Sequence, residues 1–151
     1  MKDMDGILNI DKEQGWTSFD VVAKLRGILK QKKIGHAGTL DPEAEGVLPV
    51  CVGRATKAVE RLMDHDKEYE TVLLLGKKTD TGDITGRVIK EGPSEIPEDT
   101  LRSAVLFFQG GYDQIPPMYS ALKVNGKRLY EYAREGIEIE REPRHVEIPR
   151  I

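Results

Sequence analysis

Twelve consecutive residues, GHAGTLDPEAEG at 35–46, forbid a continuous helix or strand through the first third of this 151-residue chain. Three glycines loosen the backbone there and Pro42 locks it, so regular structure must end on one side and restart on the other. Upstream, Val21, Leu25, Ile28 and Leu29 recur at helical spacing behind a capping Thr17 or Ser18, which predicts an amphipathic helix. Downstream, residues 47–52 are almost continuously apolar and predict a strand. Pro49 within that run predicts an edge position or a bulge. Pro42 also restricts the residue before it, steering Asp41 away from helical backbone angles. The segment is either an elaborate surface turn or a loop that holds one carboxylate still.

The remaining elements follow the same signals. Residues 6–10 predict a short strand, and residues 56–63 a helix. The longest strand expectation is 67–77, with Tyr69, Thr71, Leu73 and Leu75 on one face. TDTGDITG at 79–86 reads as a hairpin connection returning through residues 87–90. Pro97 opens a helix whose stripe is Leu101, Ala104, Val105 and Phe108, stopped by Gly110 and Gly111. Asn125-Gly126 is a tight-turn signal, a short helix at 128–135 ends at Gly136, and the closing residues alternate as strands that reach Ile151 in mid-strand. Strands and helices mix without a βαβ repeat, so the expected class is α+β, a mixed and largely antiparallel sheet flanked by helices.

No apolar run reaches membrane-spanning length, and the first residues lack a signal-peptide layout. The single cysteine, Cys51, sits in an apolar run, reads as a buried inert thiol, and fits a cytoplasmic location. Net charge is −3, yet residues 21–40 hold Lys24, Arg26, Lys30, Lys32 and Lys33 with no acid. Such a local basic face suffices to contact phosphates, although a solvated helix face has the same composition.

The residues alone leave the chemistry open. Asp-Pro is a common turn starter, and a histidine beside glycine is common in exposed loops. If Asp41 is catalytic, its isolation suits a nucleophile or base better than a two-carboxylate hydrolase. His36, His65 and His145 are scattered, so no metal site is expected. TDTGDITG lacks the alternating ligands and closing Glu of a calcium loop.

Residues 35–57, GHAGTLDPEAEGVLPVCVGRATK, closely resemble the central motif of the bacterial tRNA pseudouridine-55 synthases, the TruB family. GILNIDKEQGWTSFDVV, KEYE, TDTGDITG and QIPPMYSALKVNGKRLYEYAREG resemble further family segments in the same order. The resemblance implies a pseudouridine-synthase-like fold and isomerisation of uridine to pseudouridine at position 55 in the tRNA T-loop, without cofactor or metal. It implies that Asp41 is the essential carboxylate, acting on sugar C1′, on base C6 or on a sugar proton. His36 would fill space vacated by flipped nucleotides, and Tyr69 would stack on the flipped base. Lys24, Lys32, Lys33 and Lys123 are candidate phosphate contacts, with Lys127 and Arg128 beside them. Family members continue with a C-S-x-G-T-Y-I-R-like segment, whose arginine pairs with the catalytic Asp, and a C-terminal RNA-binding domain. Residues 1–151 are therefore expected to be the N-terminal part of the catalytic domain, impaired or inactive alone. The complete protein is expected to be a monomer without an obligate protein partner. Two other readings share the fold: the guide-RNA-dependent box H/ACA catalytic subunit and a non-catalytic RNA-binding module.

Overall fold

The computed structural model describes residues 4–151, which divide into two compact units, one running up to Glu70 and the other from Thr71 to Ile151. Every strand pairing among the described residues is antiparallel, within an α+β arrangement.

The first unit is a three-stranded sheet covered by a helix. Strand β1 (Gly6–Lys12), helix α1 (Ser18–Leu29), strand β2 (Ile34–His36) and strand β3 (Gly46–Val52) follow in order, and the sheet order is β1-β3-β2. A 3-10 turn (Gly53–Ala58) and helix α2 (Val59–Met63) complete it. Thr17 is the N-cap of α1: its hydroxyl accepts from the Asp20 amide at 3.0 Å, and the Asp20 carboxylate accepts from the Thr17 amide at 2.9 Å. Helix α1 buries Val21 and Val22 against Ile34, Leu48, Val50 and Val52, with Leu25 and Leu29 packed alongside. Ile28, expected on that stripe, is 60% exposed. The buried arc is centred between Val21 and Val22, which leaves Ile28 at its rim.

Pro49 corrects a second expectation, because β3 is the central strand and Pro49 pairs with Asn9 of β1. A strand residue directs its N–H and C=O to the same side. The Pro49 carbonyl accepts from the Ala37 amide at 2.8 Å, one residue past the end of β2. The missing donor therefore faces the place where β2 stops, and the ladder to β1 loses nothing.

The second unit is built from hairpins and short helices. Strands β4 (Lys77–Thr79) and β5 (Val88–Glu91) form the hairpin expected around residues 79–86. Helix α3 (Glu98–Leu106) is capped by Pro97 and closes before the two glycines. Gly110 instead opens strand β6 (Gly110–Gln114), which pairs with β9 (Arg144–Ile148). That last strand ends at Ile148, ahead of Pro149, and does not continue to Ile151. Strands β7 (Lys123–Val124) and β8 (Lys127–Arg128) flank Asn125 and Gly126, whose φ values of 53° and 82° make the expected tight turn. Helix α4 (Leu129–Arg134) follows, with Leu129 fully buried.

The strand expected at 67–77 does not form. Only Lys77 falls within a strand, Gly76 just before it accepts from the Gly92 amide at 2.9 Å, and among the described residues no strand pairs with 67–75. Alternation supplies two faces, but a strand also needs a neighbour for its backbone groups. Leu73 on one face is 65% exposed, and Val72 and Leu74 on the other are 97% and 58% exposed, so neither face is packed as a sheet would pack it.

Three carboxylates tie pH to stability. The Arg54 amide and guanidinium hold Asp5 below its ordinary value of 3.8. The Thr17 hydroxyl and amide lower Asp20, and the Thr85 and Thr81 hydroxyls lower Asp83. A lowered folded-state pKa stabilises fully above the unfolded value and loses that effect as pH falls through the folded one. We expect thermal melting to be insensitive to these groups at neutral pH and to decline as pH drops below about 4. Replacing Asp20 with Asn should flatten that acid limb, and an unchanged limb would refute its contribution.

Candidate active site

Asp41 lies on the 35–46 loop, exposed, at the first position of a turn closed by the Ala44 amide donating to its carbonyl at 3.0 Å. Its carboxylate has no hydrogen bond or ion pair among the described residues. The backbone around it is held from both sides.

On the upstream side, buried Ser18 grips Leu40. The Leu40 amide donates to Ser18 Oγ at 3.0 Å, and that hydroxyl donates to the Leu40 carbonyl at 3.3 Å. Downstream, the Pro42 carbonyl accepts from the Gly15 amide at 2.7 Å and from Lys12 Nζ at 3.5 Å. Lys12 is the last residue of β1 and only 1% exposed. Its ammonium also donates to the Glu13 and Trp16 carbonyls, at 3.0 and 2.8 Å. Three donors thus meet three carbonyls, which offsets part of the cost of burying a charge. At the rim, Gln14 Nε2 donates to Glu43 at 2.8 Å. Residues 12–18 and 40–43 form one hydrogen-bonded unit.

His36 is half-buried at the end of β2, and its Nδ1 meets the Gly38 carbonyl. A carbonyl only accepts, so this contact uses Nδ1 as the donor. Tyr69 is placed differently from the expectation of a strand-borne platform. It is 65% exposed on the unladdered stretch, and no hydrogen bond or ring contact ties it to the Asp41 loop.

The basic residues separate into distinct places. Lys32 and Lys33 line an open groove of about 660 Å³ with Arg26, Thr56, Lys57 and Glu60. Arg26 is turned inward there, with Nη2 donating to the Ile34 carbonyl at 3.0 Å and Nε buried without a hydrogen-bond partner among the described residues. Lys24 lines a different, mostly apolar cavity of about 240 Å³ with Ile10, Trp16, Val21 and Leu25. Lys123 lies on β7 in the second unit. Its neighbour Lys127 is engaged by Glu135 and by the Tyr132 ring, 4.7 Å away, and Arg128 lies over Tyr130. Burial pushes the Cys51 thiol up, in keeping with an inert core cysteine.

Lys12, Ser18 and Lys57 were missed by reasoning from sequence. Lys57 was within reach, because it closes the same GRATK run that carries the family wording. Lys12 and Ser18 carried no local signal; a lysine in a charged stretch reads as solvated, and Ser18 reads as a rival helix cap.

Among the described residues no helix is long and apolar enough to cross a membrane, and no three His, Cys, Asp or Glu side chains cluster to hold a metal ion. Residues 26–151 match the profile of the TruB family pseudouridylate synthase (N terminal domain). The chain is 54% identical over 146 residues to tRNA pseudouridine synthase B of Clostridium perfringens (strain SM101 / Type A), covering 96% of this chain and 50% of that protein. It is 53% identical over 150 residues to tRNA pseudouridine synthase B of Bacillus pumilus (strain SAFR-032), covering 98% and 48%. The chain thus spans about half the length of the curated relatives it matches. A chain in the crystal structure of a Cbf5-Nop10-Gar1 complex is similar at 32% identity and a TM-score of 0.53, over 78% of this chain and 31% of that one.

Proposed function

Given that this chain belongs to the TruB family of pseudouridylate synthases, we propose that it carries the reactive carboxylate for isomerising uridine 55 in the T-loop of tRNA. The observation that carries this reading is Asp41, a solvent-facing carboxylate with no partner among the described residues, on a backbone held at both flanks. An unengaged carboxylate is free to meet a substrate, and an anchored backbone limits the entropy lost in doing so. The reaction breaks the C1′–N1 bond, joins C1′ to C5, releases the C5 hydrogen and leaves N1 to take up a proton, so mass is unchanged. The uridine must leave its stack first, at a cost of about a few kcal/mol. His36, with its ring fixed by Gly38, occupies the loop where the extruded nucleotide would pass. Tyr69, exposed and unladdered here, is available to stack on the base. Lys32 and Lys33, now joined by Lys57, line a groove suited to backbone phosphates, while Lys24 and Lys123 would contact RNA elsewhere. A cytoplasmic setting and action as a monomer without an obligate protein partner belong to the same reading.

The experiment is tritium release from a T-arm stem-loop carrying C5-tritiated uridine, with no guide RNA. Both this chain and a form extended to the length of its relatives are assayed. Release by the extended form supports the reading. Release only after a guide RNA and partner proteins are added would replace it with the guide-dependent one. The identity of 54% to tRNA pseudouridine synthase B, against 32% to the chain of the partnered complex, favours the first outcome.

A further inference from the structure

We propose that Ser18 is a positioning residue for the Asp41 carboxylate, acting through the peptide group of Leu40; this rests on the functional reading above. The direction of a side chain is set by the two peptide planes that meet at its Cα. For Asp41 the first plane contains the Leu40 carbonyl, which accepts from Ser18 Oγ at 3.3 Å. The second contains the Asp41 carbonyl, which accepts from the Ala44 amide at 3.0 Å. Ser18 also accepts from the Leu40 amide at 3.0 Å, so one hydroxyl holds that residue by both of its backbone groups.

The hydroxyl is well placed for this task. Ser18 is 3% exposed and is the first residue of α1, a helix anchored in the core by Val21 and Val22. Thr17, not Ser18, caps the helix, so the Ser18 hydroxyl is left for Leu40. With both planes held, the remaining freedom of the carboxylate is rotation about its own side-chain bonds. A reacting group displaced by about 1 Å can cost about 10²-fold in rate. Ser18 therefore contributes to turnover and not to RNA affinity, because it lies beneath the loop with its hydroxyl turned to Leu40.

Two readouts test this. In the extended form at saturating T-arm RNA, Ser18→Ala should lower kcat about 10–10²-fold with KM unchanged within about threefold, and Ser18→Thr, which keeps a hydroxyl, should recover most of it. In this chain, Ser18→Ala should speed amide exchange at Leu40 and Ala44 at least about tenfold while the Val50 and Val52 amides keep their protection. Unchanged Ala44 exchange overturns the proposal, as does an unchanged kcat in an active enzyme. Faster exchange throughout β3 also overturns it, by showing a merely structural role. If the unaltered extended protein releases no tritium, the functional reading fails, while Ala44 exchange still decides whether Ser18 sets the Asp41 turn.

Discussion

Asp41→Asn should abolish tritium release from the T-arm substrate, by at least about 10³-fold in the form extended to family length, while leaving the fold intact. The replacement is nearly isosteric and removes the negative charge and the nucleophilic or basic oxygen together. The original carboxylate makes no hydrogen bond among the described residues, so the folded state loses no partner. The change in stability should stay within about 0.5 kcal/mol, as for exposed substitutions away from special features. The turn at 41–44 and the grips of Ser18 and Gly15 use backbone groups that asparagine keeps. The expected pattern is therefore a dead enzyme with an unchanged melting temperature and unchanged RNA binding. A variant that keeps more than a tenth of the activity would remove Asp41 from the chemistry, whatever its place in the loop. Loss of activity together with a large drop in melting temperature would instead make it structural.

The largest expected loss of stability lies elsewhere, at Gly53, where the sheet gives way to the 3-10 turn. Its φ is 61°, and a Cβ there would sit 2.4 Å from the Met4 carbonyl oxygen and 2.2 Å from Asp5 Oδ1. Neither neighbour can yield without cost. The Met4 carbonyl accepts from Gln31 Nε2 at 2.9 Å, and the Asp5 carboxylate accepts from the Arg54 amide and pairs with its guanidinium at 2.7 Å. Gly53→Ala combines left-handed backbone strain with a backbone clash and a broken ion pair, and should cost about 3 kcal/mol or more. Gly15→Ala separates the contributions, because Gly15 has φ 85° and nothing within 4 Å of its would-be Cβ. That variant should lose only about 1 kcal/mol. Denaturant unfolding of the two variants measures the difference, and equal losses would show that the crowding at Gly53 is not what matters.

Much of the site was visible before the fold. The break at 35–46, the isolation of Asp41 and the constraint from Pro42 are properties of a few adjacent residues, and the loop forms where they place it. The same holds for the Thr17 cap, the Asn125-Gly126 turn and the stop of α4 at Gly136. Each is decided by backbone preferences acting over about four residues. The strand expected at 67–77 fails for the complementary reason: its residues alternate, but pairing needs a second segment that no local pattern supplies.

What sequence alone determined about this protein is the family wording, the position of the 35–46 loop and the ends of most elements. Tertiary structure alone decided how that loop is held. Ser18 meets Leu40 across 22 residues and Lys12 meets Pro42 across 30, contacts that exist only once β1, α1 and β3 are packed together. The same packing makes Pro49 a central residue and parts Lys24 from Lys32 and Lys33. A turn is written in the torsions of its own residues. A buried hydroxyl or ammonium acquires its role from whichever distant backbone group arrives beside it, because burial leaves each polar atom to find its partner there.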